Sequence, residues 1–193
     1  MDIEIIKSQI SLSAETKMKM LSDETLIEKV DTVAEIITDS YRKGHKTLWA
    51  GNGGSAADAQ HMVGELVNKF YFDRPGLPAM ALTVDSSVMT SIGNDFSFDE
   101  VFARQIQACA EEGDVFIGIS TSGNSRNLVR ALAECRKKGV ITVALVGEKP
   151  CLLDGYDFVV HVPSTETPRI QECHTLIGHI ICYLVEQNLF GKA

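Results

Sequence analysis

The chain has 193 residues, of which 45% are hydrophobic and 23% charged, and its formal net charge is −8. This length suits one α/β domain with a sizeable core, and it is too short for a cofactor domain joined to a separate catalytic domain. The negative charge disfavours a nucleic-acid backbone, and no apolar run approaches the ~20 residues that cross a bilayer. We predict a single domain over residues 1–193, with no nucleic-acid or membrane partner.

The N-terminus and the cysteines bear on cellular location. Residues 1–8 mix acidic with apolar side chains, unlike the uninterrupted apolar core of a secretory signal. The five cysteines show no C-x-x-C spacing, which argues against a disulfide framework and against a thiolate zinc cluster. We expect a cytoplasmic protein.

Apolar periodicity predicts the elements in chain order. Amphipathic helices are predicted at 2–21 and about 24–43, a helical extension ahead of the first strand. The sheet reserves no face for the first of these helices, so we hypothesise that it packs on a partner subunit. The predicted strands that follow are 47–50, 79–83, 115–120, 140–146 and 158–162, and the predicted helices are 56–70, 86–92, 98–110, 127–138 and 168–189. This alternation predicts a three-layer α/β fold, a parallel sheet flanked by helices.

The first stretch with chemical potential is the glycine turn Gly51–Ser55, between a strand and a helix. Its glycines allow backbone N–H groups to face a ligand, and Ser55 fits the helix N-cap. On that helix an apolar stripe faces the core and leaves His61 and Glu65 one turn apart on the opposite face; the stripe is Ala59, Met62, Val63, Leu66, Val67 and Phe70. Such a pair can bind a metal or move protons, although an isolated pair is more often part of a solvated helix face.

Hydroxyl side chains follow the buried strand that ends at Ser120. They are Ser120, Thr121, Ser122 and Ser125. Ligands of parallel sheets lie beyond the carboxyl ends of strands, where the next helix presents its N-terminal N–H groups. Four hydroxyls exceed what a helix cap needs, so we favour a phosphate site. No lysine follows in the manner of a P-loop, which argues against a nucleoside triphosphate.

Two further segments carry candidate residues. Asn94 and Asp95 lie at a predicted turn after an apolar helix, where a local turn-forming role and hydrogen bonding to sugar hydroxyls are equally plausible. In the last helix, Gln171 and His179 lie opposite a predicted core stripe of Ile170, Cys173, Leu176, Ile177, Ile180 and Leu184. His179 is a candidate acid, base or ligand, whereas His174 at the edge of the stripe is interpreted as a packing histidine.

Taken together, the motifs resemble the phosphoheptose isomerases of the sugar isomerase (SIS) family. The resemblance rests on Gly51-Asn-Gly-Gly-Ser, His61-x-x-x-Glu65, Ile92-Gly-Asn-Asp, Ile119-Ser-Thr-Ser-Gly-Asn-Ser and Arg169-Ile-Gln-x-x-His, followed by His179. Each motif alone is weak, but their order and intervals are highly specific. The resemblance implies a five-stranded parallel sheet, a homotetramer, and conversion of sedoheptulose 7-phosphate to D-glycero-D-manno-heptose 7-phosphate for the heptose of surface glycans such as lipopolysaccharide.

The same resemblance implies the site residues. One zinc ion per subunit would be bound by His61, Glu65, Gln171 and His179. The implied substrate contacts are Asn52, Gly53, Gly54, Glu65, Asn94, Asp95, Ser120, Thr121, Ser122, Ser125 and Gln171. Isomerisation needs a base that moves a proton from C1 to C2 through an enediol, for which we expect Glu65, and an acid, for which we expect His179. If both bind zinc at rest, zinc instead polarises the carbonyl or releases a ligand.

Two other classes of function compete with this interpretation. One is a non-catalytic SIS module, such as a sugar-phosphate-binding or replication-initiator-associated regulator, which the presence of His179 disfavours. The other is a dinucleotide-dependent oxidoreductase, because Gly51-x-Gly53-x-x-Ala56 satisfies the loose dinucleotide fingerprint. That fingerprint requires an acidic residue ~20 positions further on, at a strand end, and the nearest such candidate, Asp85, lies well beyond.

The spacing of Gln171 and His179 bears on how the site is assembled. Eight residues of helix separate their Cα atoms by about 12 Å along the axis and roughly 80° around it. Both side chains reach one metal only by leaning fully toward each other. We therefore hypothesise that Glu65 and His179 of one working site come from different chains.

Overall fold

The computed structural model of the protein describes residues 2–191. The helices are α1 (Ile3–Leu21), α2 (Glu24–Arg42), α3 (Gly54–Val67), α4 (Ser86–Asp95), α5 (Val101–Cys109), α6 (Arg126–Lys138) and α7 (Thr167–Phe190). The strands are β1 (Thr47–Gly51), β2 (Ala79–Ala81), β3 (Val115–Ile119), β4 (Ile141–Val146) and β5 (Phe158–His161). All predicted elements occur, with boundaries that differ by at most three residues. Within residues 2–191 no helix is long and apolar enough to cross a membrane.

The five strands form one parallel sheet in the order β2-β1-β3-β4-β5. Strands β1 and β3 are buried along their whole length, as expected for parallel strands covered on both faces. One hydrophobic cluster lies between the sheet and α2, α3 and α7, and a second lies between the sheet and α5 and α6. The predicted three-layer fold with a five-stranded parallel sheet is confirmed.

The chain changes faces between β1 and β3, two neighbouring strands. Helix α3 follows β1 onto one face of the sheet, and α6 follows β3 onto the opposite face. The loops that leave these strands therefore diverge and open a crevice at the carboxyl edge of the sheet. Open parallel sheets bind their ligands at such a position.

The two N-terminal helices differ in how they join this body. Helix α2 buries Val33 and Ile37 completely and is part of the main core. Helix α1 buries only Thr16 and Met20 of its 19 residues. Its exposed apolar side chains are Ile3, Ile5, Ile6, Ile10, Met18 and Leu21, each 48–66% exposed. The α1 surface is therefore largely apolar and uncovered within the described chain.

The start and end of α3 correct two predictions. The N-cap is Gly53, whose φ of 56° a glycine adopts readily, and the helix begins at Gly54, so Ser55 is a buried residue of the first turn and not the cap. The helix ends at Val67, which is 48% exposed and is not part of the core stripe, whereas Phe70 lies beyond the helix and packs, partly buried, against the main core. Beyond Val67 the chain folds back toward α7.

Helices α3 and α7 run side by side in the same direction. Thr175 Oγ1 donates a hydrogen bond of 2.7 Å to Asp58 Oδ1, and Gly178 lies against the side chain of Met62. The predicted core stripe of α7 is partly wrong, because Leu176 and Ile180 instead line an apolar groove between α1, α2 and α7. The positions that α7 buries further along are Ile181, Cys182, Val185 and Glu186.

His174 is a packing histidine, as predicted. Its side chain is 1% exposed, and Nε2–H donates to the carbonyl of Val146 over 3.2 Å. Burial lowers the pKa of His174 to about 4, although that hydrogen bond acts in the opposite direction. The imidazole is therefore neutral near pH 7 and stabilises the packing of α7 on β4.

The close approach of α3 and α7 predicts that Gly178→Ala destabilises the protein. A Cβ at Gly178 would lie 2.9 Å from Met62 Cγ, and Met62 is itself buried. Overpacking of this kind costs about 1–3 kcal/mol. The matched control is Gly64→Ala in α3, where a Cβ meets nothing within 4 Å and alanine gains helix propensity. In urea denaturation Gly178→Ala should be less stable than Gly64→Ala by at least about 1 kcal/mol; equal stabilities would contradict the prediction.

Candidate functional site

Three polar side chains converge where α3 and α7 lie together. His61 and Glu65 project from α3, one turn apart, and His179 projects from α7. His61 Nε2 lies 3.2 Å from Glu65 Oε1 and 3.4 Å from His179 Nε2. Each of the three residues offers one atom that can bind a metal, and these three atoms lie within 4.8 Å of one another. We call these residues the metal triad.

The metal triad fits a zinc ion. Ligand atoms bound at 2.0–2.1 Å in a tetrahedral site lie about 3.3–3.4 Å apart, close to the two distances within the triad. Two imidazoles and one carboxylate are the protein ligands of several catalytic zinc sites, in which the fourth position takes water or substrate. The side chains of His61 and Glu65 are 47% and 23% exposed, so a metal and a small molecule can reach them.

The geometry corrects the hypothesis of a site shared between chains. Glu65 and His179 meet within one chain, so a neighbouring subunit is not needed to bring them together. The strain that motivated the hypothesis was between Gln171 and His179. The Gln171 amide lies at the start of α3, where a Cβ on Gly54 would be 2.5 Å from Gln171 Nε2. The role of Gln171 as a fourth ligand stays a prediction.

Aromatic rings restrain His179. The ring of Phe70 stacks on His179 with centroids 5.5 Å apart, and His61 meets His179 edge to face at 4.9 Å. Phe70 in turn contacts Tyr71, which packs against Tyr183 of α7. These rings border a groove of about 650 Å³ beside the metal triad. The segment after α3 thus forms one wall of the site, which helical periodicity did not indicate.

Asp58 is a further polar residue of the interface between α3 and α7. It lies one turn before His61 on α3 and accepts the hydrogen bond from Thr175. Burial raises the pKa of the Asp58 carboxyl, while the Thr175 hydrogen bond and the nearby His61 and His179 lower it. Its three-residue spacing from His61 was the available sign that the two share a helix face.

The loop after β3 carries Ser120, Thr121, Ser122 and Ser125, and we call it the hydroxyl loop. It has the form expected of an anion site. Ser120 is buried, accepts a hydrogen bond from Gly123 N–H, and its Oγ lies 3.0 Å from Ser125 Oγ. Ser125 is the N-cap of α6, yet its side chain makes no capping hydrogen bond. Thr121 is half-buried, and the exposed Ser122 accepts from the N–H of Asn124. Two of the four predicted hydroxyls are thus brought into contact at a helix N-terminus.

A reciprocal amide pair joins the loop that leaves β1 to the first turn of α6. Asn52 Nδ2 donates to Asn127 Oδ1 over 3.1 Å, and Asn127 Nδ2 donates to Asn52 Oδ1 over 2.8 Å. Asn127 is only 2% exposed. Sequence reasoning included Asn52 among the substrate contacts and missed Asn127. The only sign of Asn127 in the sequence is a polar residue at a helix position that faces the protein interior.

Asn94 and Asp95 do not lie at the turn that the sequence predicts. They are the last two residues of α4 and not a turn after it, and α4 buries none of its residues. Both side chains are exposed, and Asn94 Nδ2 donates to Asp95 Oδ1 over 2.9 Å. Their contact with substrate stays a prediction.

Comparison with known proteins agrees with this fold. A profile of the SIS domain matches residues 14–147. A phosphoheptose isomerase from Aneurinibacillus thermoaerophilus is 54% identical over 186 residues, which cover 96% of this chain and 94% of that protein. Phosphoheptose isomerase 2 from Campylobacter jejuni is 52% identical over 188 residues, which cover 97% and 94%. The structure of a phosphoheptose isomerase from Francisella tularensis has a TM-score of 0.92 at 34% identity, covering 97% of this chain and 99% of that one.

Fold and sequence together define an SIS domain protein. The similarity to these named relatives extends over nearly the whole length of this chain and of theirs. The chain belongs to the phosphoheptose isomerase family of SIS domain proteins.

The hydroxyl loop predicts a test with inorganic phosphate. Ser120→Ala combined with Thr121→Val should weaken phosphate binding at least about tenfold, because a hydrogen bond to a charged group contributes about 1.5–3 kcal/mol. Calorimetric titration measures the affinity. The matched control is Ser86→Ala with Ser87→Ala, two exposed hydroxyls at the N-terminus of α4. Unchanged phosphate affinity in the first double variant would place the anion elsewhere.

Proposed function

We propose that the chain interconverts sedoheptulose 7-phosphate and D-glycero-D-manno-heptose 7-phosphate, a step toward heptose-containing glycans such as lipopolysaccharide. The observation that carries the proposal is the convergence of His61, Glu65 and His179 in a chain that is 54% identical to a phosphoheptose isomerase. The hydroxyl loop at the N-terminus of α6 supports a phosphorylated substrate.

The chemistry of a ketose-to-aldose shift assigns roles to two residues. Glu65 takes a proton from C1 of the ketose and returns it to C2 of the enediol, while His179 carries the hydroxyl proton from O1 to O2. The net change moves the carbonyl from C2 to C1, and no atom is gained or lost. A carboxylate and an imidazole so close together suit this transfer, since general acid–base groups must lie within hydrogen-bond reach of the reacting atoms.

Zinc is the metal that we propose for the triad, one ion per chain. The ligands would be His61, Glu65 and His179, with Gln171 as the predicted fourth. When bound, zinc supplies a Lewis acid that polarises the sugar carbonyl. Because Glu65 and His179 are proposed both as ligands and as proton carriers, each would act in proton transfer only when its side chain is free to face the substrate.

The remaining substrate contacts are proposed from the loops around the crevice. Ser120, Thr121, Ser122 and Ser125 would bind the phosphate, and Gly53 and Gly54 would offer backbone N–H groups at the start of α3. The amide of Gln171 lies at that same turn, which supports its contact with the sugar. Asn52, Asn94 and Asp95 complete the proposed set.

We also propose that the protein is a homotetramer in which α1 covers part of a neighbouring chain. Support comes from the exposed apolar side chains of α1 and from α4, which buries no residue within the described chain. Large uncovered apolar patches are uncommon on monomers. A cytoplasmic location is part of the proposal, supported by five cysteines that are free thiols, as in a reducing compartment.

The alternative functions have less support. A non-catalytic SIS regulator has no need of the metal triad, which is intact here. A dinucleotide-dependent oxidoreductase needs an acidic side chain free to bind a ribose hydroxyl. Asp85, the nearest candidate, accepts a hydrogen bond from Val88 N–H and caps α4 instead.

The function is tested by Glu65→Gln, which preserves side-chain volume while removing the base. Turnover of sedoheptulose 7-phosphate should fall by a factor on the order of 10²–10⁴, the usual effect of general acid–base catalysis. Formation of the aldose measures turnover, and circular dichroism checks the fold. Glu134→Gln, a substitution of the same kind in α6 on the opposite face of the sheet from α3, should leave turnover unchanged. Retention of more than about a tenth of wild-type turnover by Glu65→Gln would exclude Glu65 as the base.

The role of α1 is tested by exchanging three of its exposed apolar residues, Ile5, Ile6 and Ile10, for Gln. The triple variant should sediment as a smaller species than the wild type, because the proposed contact loses apolar area at about 25 cal/mol per Å². Analytical ultracentrifugation measures the assembly. The control is Leu152→Gln, another exposed apolar side chain at 60% exposure. An unchanged sedimentation coefficient in the triple variant would remove α1 from the interface.

A further inference from the structure

We propose that the buried ion pair between Arg74 and Glu186 is a positioning device for the metal triad. The inference rests on the proposed metal site and goes beyond it, since neither residue can itself be a ligand while so engaged. The pair holds the end of α3, which carries Glu65, against α7, which carries His179.

Glu186 organises the segment after α3. Its carboxylate is fully buried and accepts hydrogen bonds from the N–H groups of Phe70, Tyr71 and Phe72 at 3.0, 2.6 and 3.1 Å, and from Arg74 Nε at 3.0 Å. Four donors on one carboxylate satisfy most of its acceptor capacity. The backbone of this segment is thereby tied to α7 at a point seven residues after His179.

Arg74 uses the rest of its guanidinium on the end of α3. Its side chain is 2% exposed. Nη2 donates to the carbonyl of Glu65 over 2.9 Å, and Nη1 donates to the carbonyl of Leu66 over 2.7 Å. These are carbonyls of the last turn, which lack partners within the helix. One planar cation therefore caps α3 at the residue that carries the proposed base.

The consequence for the site follows from these two sets of contacts. The Arg74 cap fixes the backbone of Glu65, and the Glu186 carboxylate fixes the backbone of Phe70, whose ring stacks on His179. Two of the three triad residues thus take their position from one ion pair. Metal sites depend on such supporting contacts, whose loss typically lowers metal affinity 10–100-fold.

A buried ion pair can also serve the fold alone, and the chain offers a control for that role. Asp114 is 1% exposed by its side chain and pairs with Lys46 Nζ at 2.7 Å. It also accepts from the N–H groups of Lys46 and Glu111. This second pair lies at the amino end of β3, and none of the groups within residues 2–191 that it contacts by hydrogen bond or ion pair belongs to α3 or α7. Loss of either pair leaves a buried charge without its partner. Only the pair of Arg74 and Glu186 contacts the backbone of Glu65 and Phe70.

The experiment compares Arg74→Lys with Lys46→Arg by titrating metal-free protein with Co²⁺, a zinc substitute with visible absorption bands. A lysine retains the charge opposite Glu186, but its ammonium cannot also cap the carbonyls of Glu65 and Leu66. We expect Arg74→Lys to bind Co²⁺ at least tenfold more weakly, with altered visible bands. We expect Lys46→Arg to retain wild-type affinity and bands, whatever its thermal midpoint.

The outcomes separate this inference from the proposed function. Wild-type bands that vanish in His61→Ala identify the triad as the site, and their absence in the wild type overturns the site and the inference together. With the site identified, wild-type Co²⁺ affinity and bands in Arg74→Lys would overturn the positioning role alone. If Arg74→Lys does not fold, Phe70→Leu keeps the ion pair and removes the ring on His179. A loss of at least threefold in Co²⁺ affinity then supports the inference, and an unchanged affinity overturns it.

Discussion

The contact between α3 and α7 is the constraint on which the geometry of the site depends. The two helices approach closely because Gly178 has no side chain where Met62 packs. They keep their register through the hydrogen bond from Thr175 to Asp58. With that register set, His179 lies beside His61, because each is one helical turn beyond the hydrogen-bonded residue of its own helix. The site is thus a product of helix packing more than of any loop.

A second dependence links the helices to the sheet. The chain changes faces between β1 and β3, so α3, which carries His61 and Glu65, and α6, which follows the hydroxyl loop, pack on opposite faces of the sheet. The central sheet therefore fixes the distance between the helix that carries part of the metal triad and the helix that begins at the hydroxyl loop.

Much of the fold and part of the site could be predicted from the sequence, because those features are local. The period of apolar residues gave the helices and strands, and the four-residue spacing of His61 and Glu65 placed both on one helix face. Helical spacing alone gave wrong predictions for side chains that lie where two elements meet. Distance along α7 suggested strain between Gln171 and His179, but these side chains reach different turns of α3. Phe70 looked like one more core position of α3.

The other residues missed by sequence reasoning share one physical cause. Arg74, Asn127 and Glu186 are polar side chains that each hydrogen-bond to a residue more than seventy positions away in the chain. Polarity is typical of a surface position, whereas burial of a charge or an amide is tolerated when its hydrogen bonds are satisfied. Only the folded chain shows which polar residues have found such partners.

The reciprocal pair of Asn52 and Asn127 also constrains how relatives of this chain can diverge. Two carboxamides complement each other because each offers one donor and one acceptor. Exchange of one for aspartate sets two acceptors face to face, and exchange for an apolar residue leaves the other amide unpaired. Either single substitution is disfavoured if the contact between these two segments is needed. The two positions, 75 residues apart, should therefore covary among relatives, because one pair of hydrogen bonds couples them.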